Sequence, residues 1–494
     1  MNQAASHRPL ATQRRLFGNT VLLSVSEAIV QLLNFALAIA LARIYGPELL
    51  GVYSYAMAIG ALLCILVSLG THGFVLRRVG REPAQTVAAT GALFGFQLSV
   101  ALALVLAAHL TARALSSNPV IVWVVTSIVA YHCLTRVTSL LVLGFTARES
   151  VGPASVLPLA RQGTAVLLAG AAMALGAAAP TALAALPVAA LLVLIGMYVF
   201  AAQRLGPPQL RFRRAEIAWY LREGNPYFSV VLLSTLYGRL GIIVLAALSG
   251  EAAAGVFAAA ERLVVAIGTI QVMFFMALLP VVTQLWKNDR DRFAELSQRA
   301  ARANLLVTLP IATLLALFAH DIVHLVYAHQ FADAVPVLVG IAWILVVRGI
   351  SQLLTSIATA TDHQRILARS KSFGLVVLVV VSLALMPRYG ALGLVAASLA
   401  SEISAVVLNY VMLRGEGIPT TTFPGGLRVA LACLLAAALD WLLSDLAFGL
   451  RLPIVAVSGM AALWLFGAVR AHDLTYLRAI LAARESSEQP TGGA

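Results

Sequence analysis

Residues 46–53 read Gly46-Pro47-Glu48-Leu49-Leu50-Gly51-Val52-Tyr53, and 204 positions later residues 250–257 read Gly250-Glu251-Ala252-Ala253-Ala254-Gly255-Val256-Phe257. Both stretches have the form Gly, four residues, Gly-Val-aromatic, and each reaches an alanine three residues on (Ala56, Ala260). Each also sits between two long apolar runs, 16–42 and 50–72 for the first copy, 226–248 and 253–283 for the second. Working outward, further runs cover 84–110, 119–145, 154–175, 181–203, 304–328, 335–359, 370–386, 390–413, 427–444 and 452–470. Each is close to the about 20 apolar residues that cross a bilayer. The sequence therefore predicts an all-α integral membrane protein of about fourteen transmembrane helices. Six spans separate the two motifs. Six is even, so the two halves share one orientation and are related by a parallel pseudo-two-fold axis, a plan that places a transporter's substrate site between its halves. The expected layout is a six-helix bundle over 1–203, a cytoplasmic linker over 204–225, a second six-helix bundle over 226–413, two additional transmembrane helices within 414–484, and a disordered tail over 485–494.

Composition supports the membrane reading. The 494-residue chain is 61% hydrophobic and 11% charged, where a soluble domain carries roughly a quarter charged residues. So few charges cannot cover a water-exposed surface of this size. The basic start leads into a run too long for a signal-peptide apolar region, so 16–42 reads as a retained first helix. The net charge of +13 is accounted for by the excess of Lys and Arg in cytoplasmic loops rather than by nucleic acid. With the N-terminus inside, 25 of the 34 Lys and Arg residues fall in inner segments, four in outer loops (Arg43, Arg113, Arg388, Arg451) and five within helices. Both termini are expected to be cytoplasmic. Cys64, Cys133 and Cys433 lie in apolar runs without zinc or redox spacing.

The five intrahelical arginines are Arg136, Arg161, Arg239, Arg262 and Arg348, and three glutamates, Glu27, Glu261 and Glu402, join them. An ionised residue inside a membrane helix costs about 2.5–3.5 kcal/mol on insertion scales, so each is a candidate for function. An excess of buried arginine suits a diphosphate, because guanidinium grips phosphate oxygens in two places. The competing reading is that arginines pair with glutamates to hold helices together, and Arg161 has the further option of snorkelling to the interface. Glu27, Gln31 and Asn34, spaced i, i+4 and i+7, share one face of the first helix. Glu27 is a candidate proton-coupling carboxylate; an interhelical hydrogen bond is the other reading. Glu261 and Arg262 are adjacent and point about 100° apart on their helix. His320 and His324 lack an acidic zincin residue and a clear third ligand, so no metal is expected, nor any cofactor. Gly91 and Gly95 mark close helix packing.

Three blocks of sequence carry a family resemblance. The first runs from Ala42-Arg43-Ile44-Tyr45-Gly46-Pro47 through Gly51-Val52-Tyr53-Ser54 to Leu69-Gly70-Thr71-His72-Gly73 and Arg77-Arg78. The second holds Gly224-Asn225-Pro226-Tyr227-Phe228, Ser234-Thr235-Leu236-Tyr237-Gly238-Arg239, Gly255 to Glu261-Arg262 and Leu279-Pro280. The third runs from Met386-Pro387-Arg388-Tyr389-Gly390 through Ala396-Ala397 to Ser401-Glu402. In their order and spacing the chain resembles the polysaccharide transporter family, which includes oligosaccharide and O-antigen flippases. That family lies in the multidrug/oligosaccharidyl-lipid/polysaccharide exporter superfamily. The resemblance implies a V-shaped pair of bundles around a central cavity, working by alternating access in a bacterial inner membrane. It implies a polyprenyl-diphosphate-linked oligosaccharide as substrate, with a polysaccharide polymerase and a chain-length regulator as partners beside membrane lipid. Family members often carry an acid directly after the arginine of helix seven, whereas Leu240-Gly241 follows Arg239 here.

Other classes fit less well. Asp289-Arg290-Asp291 has the acid-x-acid form of metal-dependent sugar transferases, but it sits in a short charge-rich connection with no nucleotide-binding domain around it. A multidrug exporter for lipophilic cations wants an anionic, aromatic-lined pocket, against which the intrahelical arginines argue. A lipid II flippase remains a close alternative, since its substrate carries the same diphosphate.

Overall fold

The computed structural model describes residues 10–75, 86–146, 152–206, 214–420, 426–444 and 446–466. Every regular element among them is helical. In chain order these are α1 (Leu10–Ser68), α2 (Thr86–Leu115), α3 (Pro119–Thr146), α4 (Gly152–Ala174), α5 (Ala179–Leu205) and α6 (Arg214–Asn288). There follow α7 (Arg290–Leu317), α8 (Ala319–Tyr327), α9 (Ala334–Ala360), α10 (Gln364–Gly415), α11 (Gly426–Leu442) and α12 (Phe448–Leu465). The tail over 485–494, residues 207–213 of the expected linker, and the basic residues Arg8, Arg77, Arg78, Arg81 and Arg148 lie outside the described residues.

Helices prevail because no water is available in a bilayer core to satisfy backbone N–H and C=O groups, and a helix satisfies them within itself. Among the described residues ten stretches are long and apolar enough to cross a membrane. Three of them, Val25–Ser68, Tyr227–Asn288 and Gln364–Gly415, are about two to three times the crossing length. An unbroken helix of 59 residues such as α1 would reach about 88 Å at 1.5 Å per residue, nearly three times the hydrocarbon thickness. The breaks resolve this. They fall at Gly46 (φ 82), Gly250 (φ 86) and Gly390 (φ 52), in a backbone region that glycine enters without the Cβ penalty. Counting each broken helix twice gives thirteen crossing segments, and the 17-residue α11 makes a fourteenth. The protein is a multi-pass membrane protein with the helix number read from the apolar runs. One boundary differs: the basic stretch 290–303, expected as part of a connection, is the first half of α7, started by the Asp289 side chain, which accepts from the Arg292 backbone N–H at 3.0 Å.

The chain forms two compact units. The first gathers residues 1–269, 326–334 and 371–398. Its centre is α3, packed against α1, α2 and α5 through fully buried small and aliphatic side chains such as Val124, Ile128, Val137 and Leu140. The second gathers 270–325, 335–370 and 399–494. Its core joins Phe275, Phe293, Leu353, Ile357 and Leu413, and α11 and α12 pair with each other while α11 packs on α7. Within the first unit, the two copies of the glycine motif touch. A Cβ placed on Gly51 would collide with the Glu251 carbonyl oxygen and stand 2.9 Å from Gly255 N. One placed on Gly255 would collide with the Pro47 carbonyl oxygen and stand 3.0 Å from Gly51 N.

Candidate functional site: a cluster of intramembrane arginines

Four of the five intrahelical arginines lie in the first unit: Arg136 on α3, Arg161 on α4, and Arg239 and Arg262 on α6. Arg262 donates from Nη2 to Ser54 Oγ at 3.0 Å and places its guanidinium 5.3 Å from the centre of the Tyr53 ring. Its Nη1 is buried without a hydrogen-bond partner. Tyr53 and Ser54 belong to the first copy of the glycine motif and Arg262 follows the second, so the repeat that fixes the architecture also delivers these contacts. Arg239 is exposed, and its charge acts on Tyr53 together with that of Arg262. It acts also on His132, together with Arg161. Arg161 lies 5.4 Å from the Tyr131 ring centre, its Nε buried without a hydrogen-bond partner, while the Tyr131 hydroxyl donates to Gln162 Oε1 at 3.1 Å.

Arg136 stands one helical turn beyond His132, on the same face of α3. Its Nε donates to Ser68 Oγ at 3.0 Å, at the end of α1. The backbone carbonyl of Arg136 accepts from Ser139 Oγ at 2.7 Å. Ser139 Oγ also lies 3.3 Å from His72 Nδ1, His72 Nε2 lies 3.3 Å from Gln97 Oε1, and Gln97 Nε2 donates to Thr71 Oγ1 at 3.1 Å. This network ties the C-terminal end of α1 and the turn after it to α2 and α3. His72, His132, Tyr53 and Tyr131 were not proposed as site residues from sequence. Their signals were that Tyr53 and His72 lie in the first block of family resemblance and that His132 stands four residues before Arg136.

The ion pairs make the sharpest contrast. Among the described residues no carboxylate stands within 4.0 Å of the guanidinium of Arg136, Arg161, Arg239 or Arg262. Arg348, in the second unit, instead pairs with the buried Glu402 at 3.5 Å. Arg451, expected in an outer loop, is part of α12 and meets Asp321 at 2.6 Å and Asp440 at 3.3 Å, with its guanidinium 5.0 Å from the Phe318 ring centre. Here arginine serves as helix glue. Glu27 is exposed and accepts from Gln31 Nε2 at 2.9 Å; Asn34 and Glu261 are half-buried.

The remaining candidates take structural parts. The rings of His320 and His324 lie 4.3 Å apart, and among the described residues no three His, Cys, Asp or Glu side chains gather to hold a metal. Asp289 of the acid-x-acid stretch caps α7 and pairs with Arg292 at 3.3 Å, while Arg290 stacks on Trp286. In the second unit a cavity of about 530 Å³ opens between α7, α11 and α12, lined by apolar side chains such as Leu306, Pro310, Ala432 and Gly459, with Arg299 and Arg302 among its lining.

A family model described as polysaccharide biosynthesis protein matches residues 16–286, more than half of the chain. The chain belongs to this family. No curated protein sequence matches it. Among solved structures, the lipid II flippase MurJ in an inward closed conformation superimposes with a TM-score of 0.74 at 15% identity, over 92% of this chain and all of that one. An inward-facing multidrug resistance transporter of the MATE family gives a TM-score of 0.59 at 15% identity, over 79% of this chain and 98% of that one. An outward-facing MATE transporter gives 0.54 at 17% identity, over 81% and 95%. At these identities the likeness is one of fold. With the family match, it sets the protein in the multidrug/oligosaccharidyl-lipid/polysaccharide exporter superfamily.

Proposed function

We propose that the protein is a flippase that carries a polyprenyl-diphosphate-linked oligosaccharide repeat unit from the cytoplasmic to the periplasmic leaflet of a bacterial inner membrane, for exopolysaccharide or O-antigen-type synthesis. The observation that carries this reading is the set of four intramembrane arginines that meet no carboxylate within 4.0 Å among the described residues. Four uncompensated cations within apolar helices leave a positive field that an anion relieves, and a diphosphate brings the paired oxygens that guanidinium groups bind best. A lipophilic cation would be repelled by the same field. Arg136, Arg161, Arg239 and Arg262 are the proposed diphosphate contacts. Arg348 joins them only when released from Glu402. Glu27, with Gln31, Asn34 and Glu261, supplies the polar face proposed for coupling. The two six-helix halves work by alternating access, both termini face the cytoplasm, and the chain moves its substrate without chemical change. A polymerase and a chain-length regulator would receive the product.

The test is leaflet exchange in proteoliposomes containing the purified protein. A polyprenyl-diphosphate-linked oligosaccharide is compared with lipid II and with a lipophilic cationic dye. Transport of the first supports the proposal. Transport of lipid II alone would place the protein in peptidoglycan synthesis, and movement of the dye alone would make it a drug exporter.

A further inference from the structure

The two motif copies that reveal the repeat in the sequence are each other's packing partner in the fold, and a second glycine contact closes the opposite end of the same helices. At the first contact, Gly51 lies against the Glu251 carbonyl and Gly255 against the Pro47 carbonyl, backbone on backbone with no room for a Cβ on either side. At the second, a Cβ on Gly70 (φ 76) would collide with the Gly224 carbonyl oxygen and stand 2.5 Å from Phe228 N, while one on Gly224 would stand 3.0 Å from Leu69 O and 3.0 Å from Thr71 N. A Cβ on the neighbouring Gly73 would stand 2.7 Å from the Tyr227 ring. The two contacts are far apart. From Gly51 to the end of α1 the helix rises about 26 Å, and from Gly224 to Gly250 α6 rises about 39 Å, each close to a membrane's thickness.

We propose that these contacts are two latches, Gly51 with Gly255 and Gly70 with Gly224, and that they are the gates the transport cycle opens in turn. The proposal rests on the alternating-access reading above. Its physical content is a contact of backbone with backbone at the glycines. At the glycines each latch is held by close van der Waals packing of small residues and carbonyl oxygens against Cα hydrogens. Side chains flank both contacts: Arg262 donates to Ser54 Oγ at 3.0 Å beside the first, and Phe74 meets the Trp219 and Tyr220 rings edge-on beside the second. A methyl on Gly51 or Gly255 collides with the facing carbonyl, and one on Gly224 stands at 3.0 Å from Leu69 O and Thr71 N, so that the second contact must loosen to admit it.

That sensitivity gives the test. Gly51, Gly255 and Gly224 have ordinary helical backbone, so alanine suits their own helices better than glycine does; only the partner helix objects. Gly51→Ala and Gly255→Ala should hold the first latch open, and Gly224→Ala the second. Native Cys64 lies on α1 between Gly51 and Gly70 and is half-buried, so its thiol serves as the reporter of access between the two contacts. Cys133→Ser and Cys433→Ser remove the other thiols from the background. A membrane-impermeant thiol reagent is then applied to right-side-out and inside-out vesicles. Gly51→Ala and Gly255→Ala are expected to raise Cys64 labelling several-fold from one face, and Gly224→Ala several-fold from the opposite face. Which face is which reports the orientation of the chain; the opposition between variants tests the latches. Labelling unchanged from the parent in variants that stay monodisperse, or raised from the same face by all three, would overturn the proposal. No substrate is needed, so a failed flipping assay and a failed latch assay are separate results.

Discussion

Arg262 and Arg348 are both arginines inside apolar helices, yet their surroundings differ. Arg262 has a serine hydroxyl, a tyrosine face and a free Nη1, while Arg348 has Glu402. Alanine at Arg136, Arg239 or Arg262 should weaken binding of a polyprenyl diphosphate probe by about ten- to a hundredfold, the worth of one charge-assisted hydrogen bond, as measured by titration in nanodiscs. Lysine, which keeps the charge and loses the fork, should fall between alanine and the parent. Arg348→Ala should instead lower the thermal unfolding midpoint, because the buried Glu402 loses its ion pair with Arg348, and Glu402→Gln introduced with it should restore part of the loss. At Glu27, replacement by Gln should reduce transport and flatten its dependence on pH while folded protein is retained; a variant with the parent's pH profile would remove the coupling role. The arginines were legible in the sequence because a charge in an apolar run declares itself. Their partners were not. Ser54 is 208 residues from Arg262, and serines and tyrosines carry no such signal. The same blindness set Arg451 in a loop, since nothing local links it to Asp321 and Asp440.

Element lengths were read well and element ends less so. Apolar runs give the spans directly, but the glycine breaks inside α1, α6 and α10 are sharp enough that each pair of spans joins with almost no loop, and α7 extends four turns beyond the apolar run into its basic end. That extension was hidden because its charged, capped first half looks in sequence like any solvated connection. The Arg451 cluster tests how α8, α11 and α12 are fastened. Asp321 lies on α8, Asp440 near the end of α11 and Arg451 near the start of α12, so one guanidinium joins three helices. Arg451→Leu should lower the thermal midpoint in detergent by leaving two half-buried carboxylates facing each other. Adding Asp440→Asn should recover part of that loss, because it removes one of the two like charges. A midpoint equal to the parent's in the single variant would show that the three helices are held by packing alone.

For the whole molecule, the charge distribution makes the firmest claim. Reporter fusions should place both termini and the 284–303 segment in the cytoplasm, and an outer location for that segment would break the orientation read from 25 inner and four outer basic residues. The repeat told more than a helix count. The offset between its copies is preserved in the contact: residues 47 and 51 meet residues 255 and 251, each pair interchanged by adding or subtracting the same 204 positions. Where residue i of one copy touches residue j of the other and j touches i, the surface is isologous, the geometry of a C2 homodimer. The junction thus has the form of a dimer interface carried within one polypeptide. In a homodimer with such an interface one substitution would change both sides at once. Within one chain the two sides vary separately, and any departure from glycine on one helix meets an unchanged carbonyl on the other.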